Sequence, residues 1–327
     1  MIDRIGVIGG GAWGTALGAV AAGGGSALLW AREPEVVEDI NCNRRNSLFL
    51  GDVALPEALS ATAELGELGS CDALLVVTPA QHMGAVLAAL PPTRVPLVLC
   101  AKGIEEASGR LLHDVAHAAQ PSAPIAVLSG PTFAHEVAAG LPTAVTLACE
   151  DEAVGAVLRD RIASRAFRPY LSGDVVGAEV GGAVKNVLAI ACGVVDGRGL
   201  GQNARAALIS RGFAEMTRFG VALGARPETL AGLAGLGDLV LTCSSTSSRN
   251  FSLGKGIGEG KSARSLLSDR RTVAEGAFTA PVLDRVARQL SVDMPIVAAV
   301  CALIEERASV DEVIGTLLAR PLRAEGD

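Results

Sequence analysis

Ile5-Gly6-Val7-Ile8-Gly9-Gly10-Gly11-Ala12-Trp13-Gly14 is the stretch on which the fold of the N-terminal half turns. Ile5–Ile8 is a short apolar run without polar alternation, as expected of a strand buried on both faces of a sheet. Ala12–Ala22 follows with helical spacing. Between them Gly9, Gly11 and Gly14 stand as G-x-G-x-x-G. In that spacing the first glycine makes the turn, the second lets backbone approach a pyrophosphate, and the third lets helix and strand pack closely. The helix N-terminus then faces the phosphates. The competing interpretation is a tight turn in an Ala- and Gly-rich chain. The strand before and the helix after favour a dinucleotide.

Outward from this unit the alternation continues. Ala27–Trp30, Ala73–Val77, Leu97–Ala101 and Ile125–Leu128 are further strand candidates, and Pro34–Asn41, Gln81–Leu90 and Gly109–Ala119 have helical spacing. Such alternation implies a parallel sheet covered on both faces. A strand at Ala144–Ala148, a helix from about Asp151 and a short strand near Phe167–Leu171 complete this part. From Gly177 onward the patterns are almost wholly helical: 177–196, 203–223, 228–243, 275–290, 295–308 and 311–320. Ser244–Arg249 is expected to be a polar loop, and Gly254–Gly260 an exposed glycine-rich segment. The expected fold is α/β: a Rossmann-like doubly wound sheet over residues 1–172, then an all-α domain over residues 173–327.

Composition narrows the class. The 327 residues are half hydrophobic and only 3% aromatic, so the core is built from Ala, Val, Leu and Ile. A net charge of −7 argues against nucleic acid as a partner. The seven cysteines include no C-x-x-C pair, which argues against a metal site and fits a reducing, cytoplasmic setting. The charge-free stretch between Arg4 and Arg32 imitates a signal peptide, but Gly9–Gly11 and Gly23–Gly25 interrupt it. No membrane span is expected elsewhere.

Two cations stand out by position. Only four of the 28 basic residues are Lys. Lys255 and Lys261 lie in the glycine-rich segment and read as solvated charges. Lys102 instead ends an apolar strand, at the sheet edge where open α/β folds bind ligands. Lys185 lies in the nearly charge-free run Val180–Val195, where a cation is costly unless it serves chemistry or a partner. Lys, unlike Arg, can give up a proton when desolvated and so can act as a general acid or base. The plainer alternative for Lys185 is a helix residue paired with Glu179 or Asp196. After the second strand the first charged residue is Arg32, where an NAD site usually places an acid. Arg32 suits a 2′-phosphate, although Glu33 follows it, so NADPH is favoured with NAD also usable.

Six segments together resemble the NAD(P)-dependent sn-glycerol-3-phosphate dehydrogenases. They are Gly9–Gly14, Cys100-Ala101-Lys102-Gly103-Ile104-Glu105, Ser129-Gly130-Pro131-Thr132-Phe133-Ala134, Gly182-Ala183-Val184-Lys185-Asn186-Val187, Gly235–Cys243 and Ser248-Arg249-Asn250. The resemblance implies interconversion of dihydroxyacetone phosphate and glycerol 3-phosphate, for glycerophospholipid synthesis, by a cytoplasmic homodimer. It implies Lys185 as proton acceptor and donor, with Lys102 touching substrate and nicotinamide. Asp238 and Thr242 would share a face with Lys185, and Asn186, which follows Lys185, can donate to a carbonyl or hydroxyl of the substrate. Ser248, Arg249 and Asn250 would hold the substrate phosphate, with Arg249 also near the cofactor. Gly130, Thr132 and Ala134 would line the pocket, and Val273 and Glu275 would meet the adenosine side. Ala12 departs from the small polar residue common in the family's glycine loop, which removes a hydroxyl, whereas Trp13 keeps the aromatic. His82 and His135 are expected to be surface residues. The related β-hydroxyacid dehydrogenases and a catalytically silent dinucleotide-binding regulator are the competing interpretations; the second leaves Lys185, Asp238 and Arg249 without a role.

Overall fold

The structure, a computed structural model, describes residues 2–268 and 274–321. Eight strands form one sheet: β1 Arg4–Ile8, β2 Ser26–Trp30, β3 Leu59–Thr62, β4 Ala73–Val76, β5 Leu97–Leu99, β6 Ile125–Ser129, β7 Thr143–Cys149 and β8 Phe167–Ser172. Their spatial order is β3-β2-β1-β4-β5-β6-β7-β8. Neighbours run parallel except at β6–β7, which pair antiparallel with Ser129 opposite Thr146. The order reverses around β1, which lies between β2 and β4, so the crevice for a ligand opens at its carboxyl end.

Apolar strands here serve two cores at once. Val7, Leu29, Leu75, Val98 and Leu128 point to the face covered by the helices Ala12–Ala22 and Glu152–Ile162. Ile8, Leu28, Leu74, Val76, Leu97, Leu99 and Val127 point to the other, beneath Ala80–Ala89 and Leu112–Ala119. Side chains alternate along a strand, so a strand with helices on both faces must be apolar throughout. Buried Arg161 ties the N-terminal edge together, donating to the carbonyls of Ile2, Asp3, Ala21 and Ser26.

After β8 the described residues contain helices and no strand. Val175–Gly197 runs through the middle, buried from Val180 to Val194. It is long and apolar enough to cross a membrane, with mean hydropathy 1.5, contrary to the expectation that no segment would be. Its apolar surface faces the surrounding helices Gly201–Ala222, Arg249–Gly258, Glu275–Gln289 and Pro295–Ile304.

Gly254–Gly260 is not an exposed loop. Most of it belongs to the helix Arg249–Gly258, and Gly254, Gly256 and Gly258 are buried. A Cβ on Gly254 would lie 2.0 Å from Ile190 O, and one on Gly193 would lie 2.1 Å from Phe251 O. Missing side chains therefore let two backbones touch, and the helix cost of glycine is offset by that contact. The expected helix 228–243 is also divided, into Pro227–Leu230, a wide turn at Leu233–Gly237, and Asp238–Thr242.

Candidate active site

Three charged side chains from three elements meet between the sheet and the helical part. Lys102 follows β5, Lys185 lies in the long helix, and Asp238 begins the helix after the wide turn. Lys185 Nζ donates to Asp238 Oδ1 at 2.7 Å and to Thr242 Oγ1 at 2.9 Å. Lys102 Nζ donates to Asp238 Oδ2 at 2.6 Å and to the Gly130 carbonyl at 3.2 Å. Asp238 and Thr242, one helical turn apart, thus share the face toward Lys185. The Asp238 side chain is 0% exposed, against 7% for Lys185 and 14% for Lys102.

A buried carboxylate shared by two ammonium groups leaves local positive charge, which suits an anionic ligand. Burial pulls the pKa of Lys185 down, Asp238 pulls it up and Lys102 down again, which leaves it at about 8. An amine poised there exchanges its proton near neutral pH, which an ordinary Lys does not. The alternative partners fall away: Glu179 meets His113 Nδ1 at 2.7 Å, and Asp196 pairs with Lys255 at 2.9 Å. Lys255 is thus ion-paired, while Lys261 pairs with Glu259 on the surface.

The remaining expected residues divide into two groups. Ser248 caps the helix Arg249–Gly258 by accepting from Phe251 N, so the amides of that first turn and the exposed Arg249 stand at one end of the helix. Asn250 is buried; it donates to Asn186 Oδ1 at 3.0 Å and accepts from Gly276 N at 2.9 Å. Asn186 and Asn250 are therefore brought together beside Lys185. Thr132 Oγ1 donates to the Gly130 carbonyl, and Ala134 begins a short helix after it. Glu275 is partly buried; desolvation pushes its carboxyl pKa up, while Arg249, Lys102 and Lys185 pull it down. Val273 lies outside the described residues. His82 and His135 are exposed.

At the sheet's switch point the residues fit a dinucleotide. Gly9 has φ +127°, and a Cβ on Gly14 would lie 1.9 Å from the Gly9 carbonyl oxygen, so both positions require glycine. Beside Gly11 a Cβ would meet nothing within 4 Å, which leaves room for phosphate. Among the described residues no side chain caps the Ala12–Ala22 helix at its N-terminus, and none partners the buried Trp13 Nε1. Arg32 follows β2, 83% exposed and 3.1 Å from Glu33. Sequence reasoning missed Asn46, whose fully buried side chain bonds the Gly10 carbonyl; nothing in its local sequence separates it from a loop asparagine.

Comparison with known proteins gives the family. Residues 4–155 match the NAD-dependent glycerol-3-phosphate dehydrogenase N-terminus, and residues 174–315 match the corresponding C-terminus. The chain belongs to the NAD-dependent glycerol-3-phosphate dehydrogenase family. It is 64% identical to the glycerol-3-phosphate dehydrogenase [NAD(P)+] of Erythrobacter litoralis, over 99% of this chain and 98% of that one. It is 62% identical to the enzyme of that name from Novosphingobium aromaticivorans, over 99% of each. The crystal structure of a glycerol-3-phosphate dehydrogenase from Coxiella burnetii superposes with a TM-score of 0.93 at 37% identity, covering 98% and 99% of the two chains. Within this family, the Rossmann-like sheet and the helical C-terminal part seen here are the shared architecture.

Proposed function

We propose that the chain catalyses the reversible NAD(P)-dependent interconversion of dihydroxyacetone phosphate and sn-glycerol 3-phosphate, supplying the latter for glycerophospholipid synthesis. The observation that carries this is the Lys102–Asp238–Lys185 cluster, in which two ammonium groups share one buried carboxylate. When bound, the nicotinamide cofactor supplies the hydride in one direction and accepts it in the other.

Lys185 handles the proton. In reduction, negative charge grows on the carbonyl oxygen, and the Lys185 ammonium stabilises it and donates a proton. In oxidation, the neutral amine takes the hydroxyl proton. Asp238 holds Lys185 in place, and Lys102 keeps the potential positive where the oxyanion forms. Arg249, with Ser248 and Asn250, seats the substrate phosphate; a guanidinium fork and free helix amides both match a dianion. Gly130 and Thr132 line the pocket, and Ala134, Arg249 and Glu275 face the cofactor.

Arg32 is exposed just beyond β2, where an NAD site usually has an acid, which supports a preference for NADPH over NADH. The same reading takes residues 1–172 as the cofactor unit and 173–327 as the substrate unit of a cytoplasmic homodimer. The test is spectrophotometric. Purified protein with NADPH is expected to lose cofactor absorbance when dihydroxyacetone phosphate is added. Turnover of a β-hydroxyacid with none of dihydroxyacetone phosphate would overturn the assignment.

A further inference from the structure

We infer that Asn46, from the loop after the second strand, is a positioning residue that sets the phosphate-binding orientation of the glycine turn. The inference rests on the dinucleotide reading of that turn. Asn46 is 0% exposed and lies far from it in sequence. Its Nδ2 donates to the Gly10 carbonyl at 2.8 Å and to Thr15 Oγ1 at 2.7 Å, and Thr15 Oγ1 leans on the same carbonyl at 3.4 Å. Both amide hydrogens of Asn46 are thereby used on the turn and the helix that follows it.

The consequence comes from peptide geometry. In a planar trans peptide the C=O of one residue and the N–H of the next point in opposite directions. Holding Gly10 O against the buried Asn46 amide therefore turns the Gly11 N–H the other way. The space beside Gly11 is open, since a Cβ there would meet nothing within 4 Å. The same bonds take up the Gly10 carbonyl, whose oxygen would repel a phosphate if it faced outward. Asn46 thus fixes which edge of the Gly10–Gly11 peptide a pyrophosphate meets.

The loop is built to hold this asparagine. Arg44 enters it with φ 56°, a left-handed conformation, and its guanidinium donates to Leu59 O at 2.6 Å. Asp39 accepts from Ser47 N at 2.8 Å. Asn46 itself accepts from Phe49 N on its side chain at 3.2 Å and from Leu50 N on its backbone at 2.8 Å. A plain loop anchor needs only the last two; the two bonds made by Nδ2 run to the turn.

The test uses Asn46→Asp, nearly the same shape but without the donor, and Asn46→Ala. Each is read by fluorescence titration with NADPH, steady-state kinetics and a melting curve. The expected result is a rise in the Kd for NADPH of roughly tenfold or more in both variants, the scale of one lost charge-assisted hydrogen bond. At saturating NADPH, kcat and the KM for dihydroxyacetone phosphate are expected to stay near wild type. A lower Tm with an unchanged NADPH Kd would overturn the inference and leave Asn46 a loop anchor. A wild-type chain that binds neither NADPH nor NADH would overturn the dinucleotide reading, and the positioning role with it.

Discussion

Lys185 Nζ lies 2.7 Å from Asp238 Oδ1, inside a site where the carboxylate has no exposed surface. Of the forces on this amine, burial and Lys102 lower its pKa and Asp238 raises it, leaving it at about 8. With Lys185 as the proposed proton donor, the rate of reduction should fall as pH rises through about 8. Oxidation needs the neutral amine, so its rate should rise through the same range. Asp238→Asn removes the group that holds the proton on. The alkaline limb of the reduction profile should then move to lower pH, as seen in kcat measured against pH. A limb unmoved by Asp238→Asn would show that Asp238 does not tune Lys185.

Arg249→Ala should raise the KM for dihydroxyacetone phosphate by roughly tenfold or more, the scale of a lost charge-assisted contact, and change the KM for NADPH much less. Initial rates with each substrate varied in turn separate the two. An unchanged substrate KM would remove Arg249 from the phosphate seat.

Arg32→Asp should shift cofactor preference from NADPH toward NADH. Arg32 is exposed and its pair with the half-buried Glu33 costs little to break, so Arg32 is free to turn toward a 2′-phosphate. The ratio of kcat/KM for the two cofactors is the readout, and a ratio equal to wild type would exclude Arg32 from the contact.

Gly193→Ala tests the close approach of the two glycine-bearing helices. In an exposed helix interior the change would stabilise by about 1 kcal/mol. Here the new methyl would lie 2.1 Å from Phe251 O, so the helices must separate. The expected result is a loss of roughly 1–3 kcal/mol, read from denaturant unfolding. A gain in stability would contradict the packing.

The sheet was legible where its signals are local. Val7, Leu75 and Val98 sit in runs that are apolar on both faces, and the glycine spacing marked the turn after β1. β3 was missed because Leu59–Thr62 has only two apolar residues and lies at the edge. The helix Arg249–Gly258 was misread because glycine signals a loop locally, while its reason for being there is Ile190 on another helix. Lys185 was visible because a lone cation interrupts an apolar run. Its partner Asp238 lies 53 positions away and could be tied to it only through the family resemblance. Asn46 had no such contrast, since asparagine is ordinary in loops and its partners are set by the tertiary fold alone.

The most direct test of the account is the turnover of Lys185→Arg. Arg keeps the positive charge but is too weak an acid to supply a proton, so the substitution separates proton transfer from electrostatic attraction. With dihydroxyacetone phosphate and NADPH saturating, kcat should fall by about 10²–10⁴, the range for a lost general acid. Cofactor titration and the melting curve should show that the variant still folds and still binds NADPH. A folded, NADPH-binding variant that keeps more than about a tenth of wild-type kcat, well above that range, would show that the proton comes from another group.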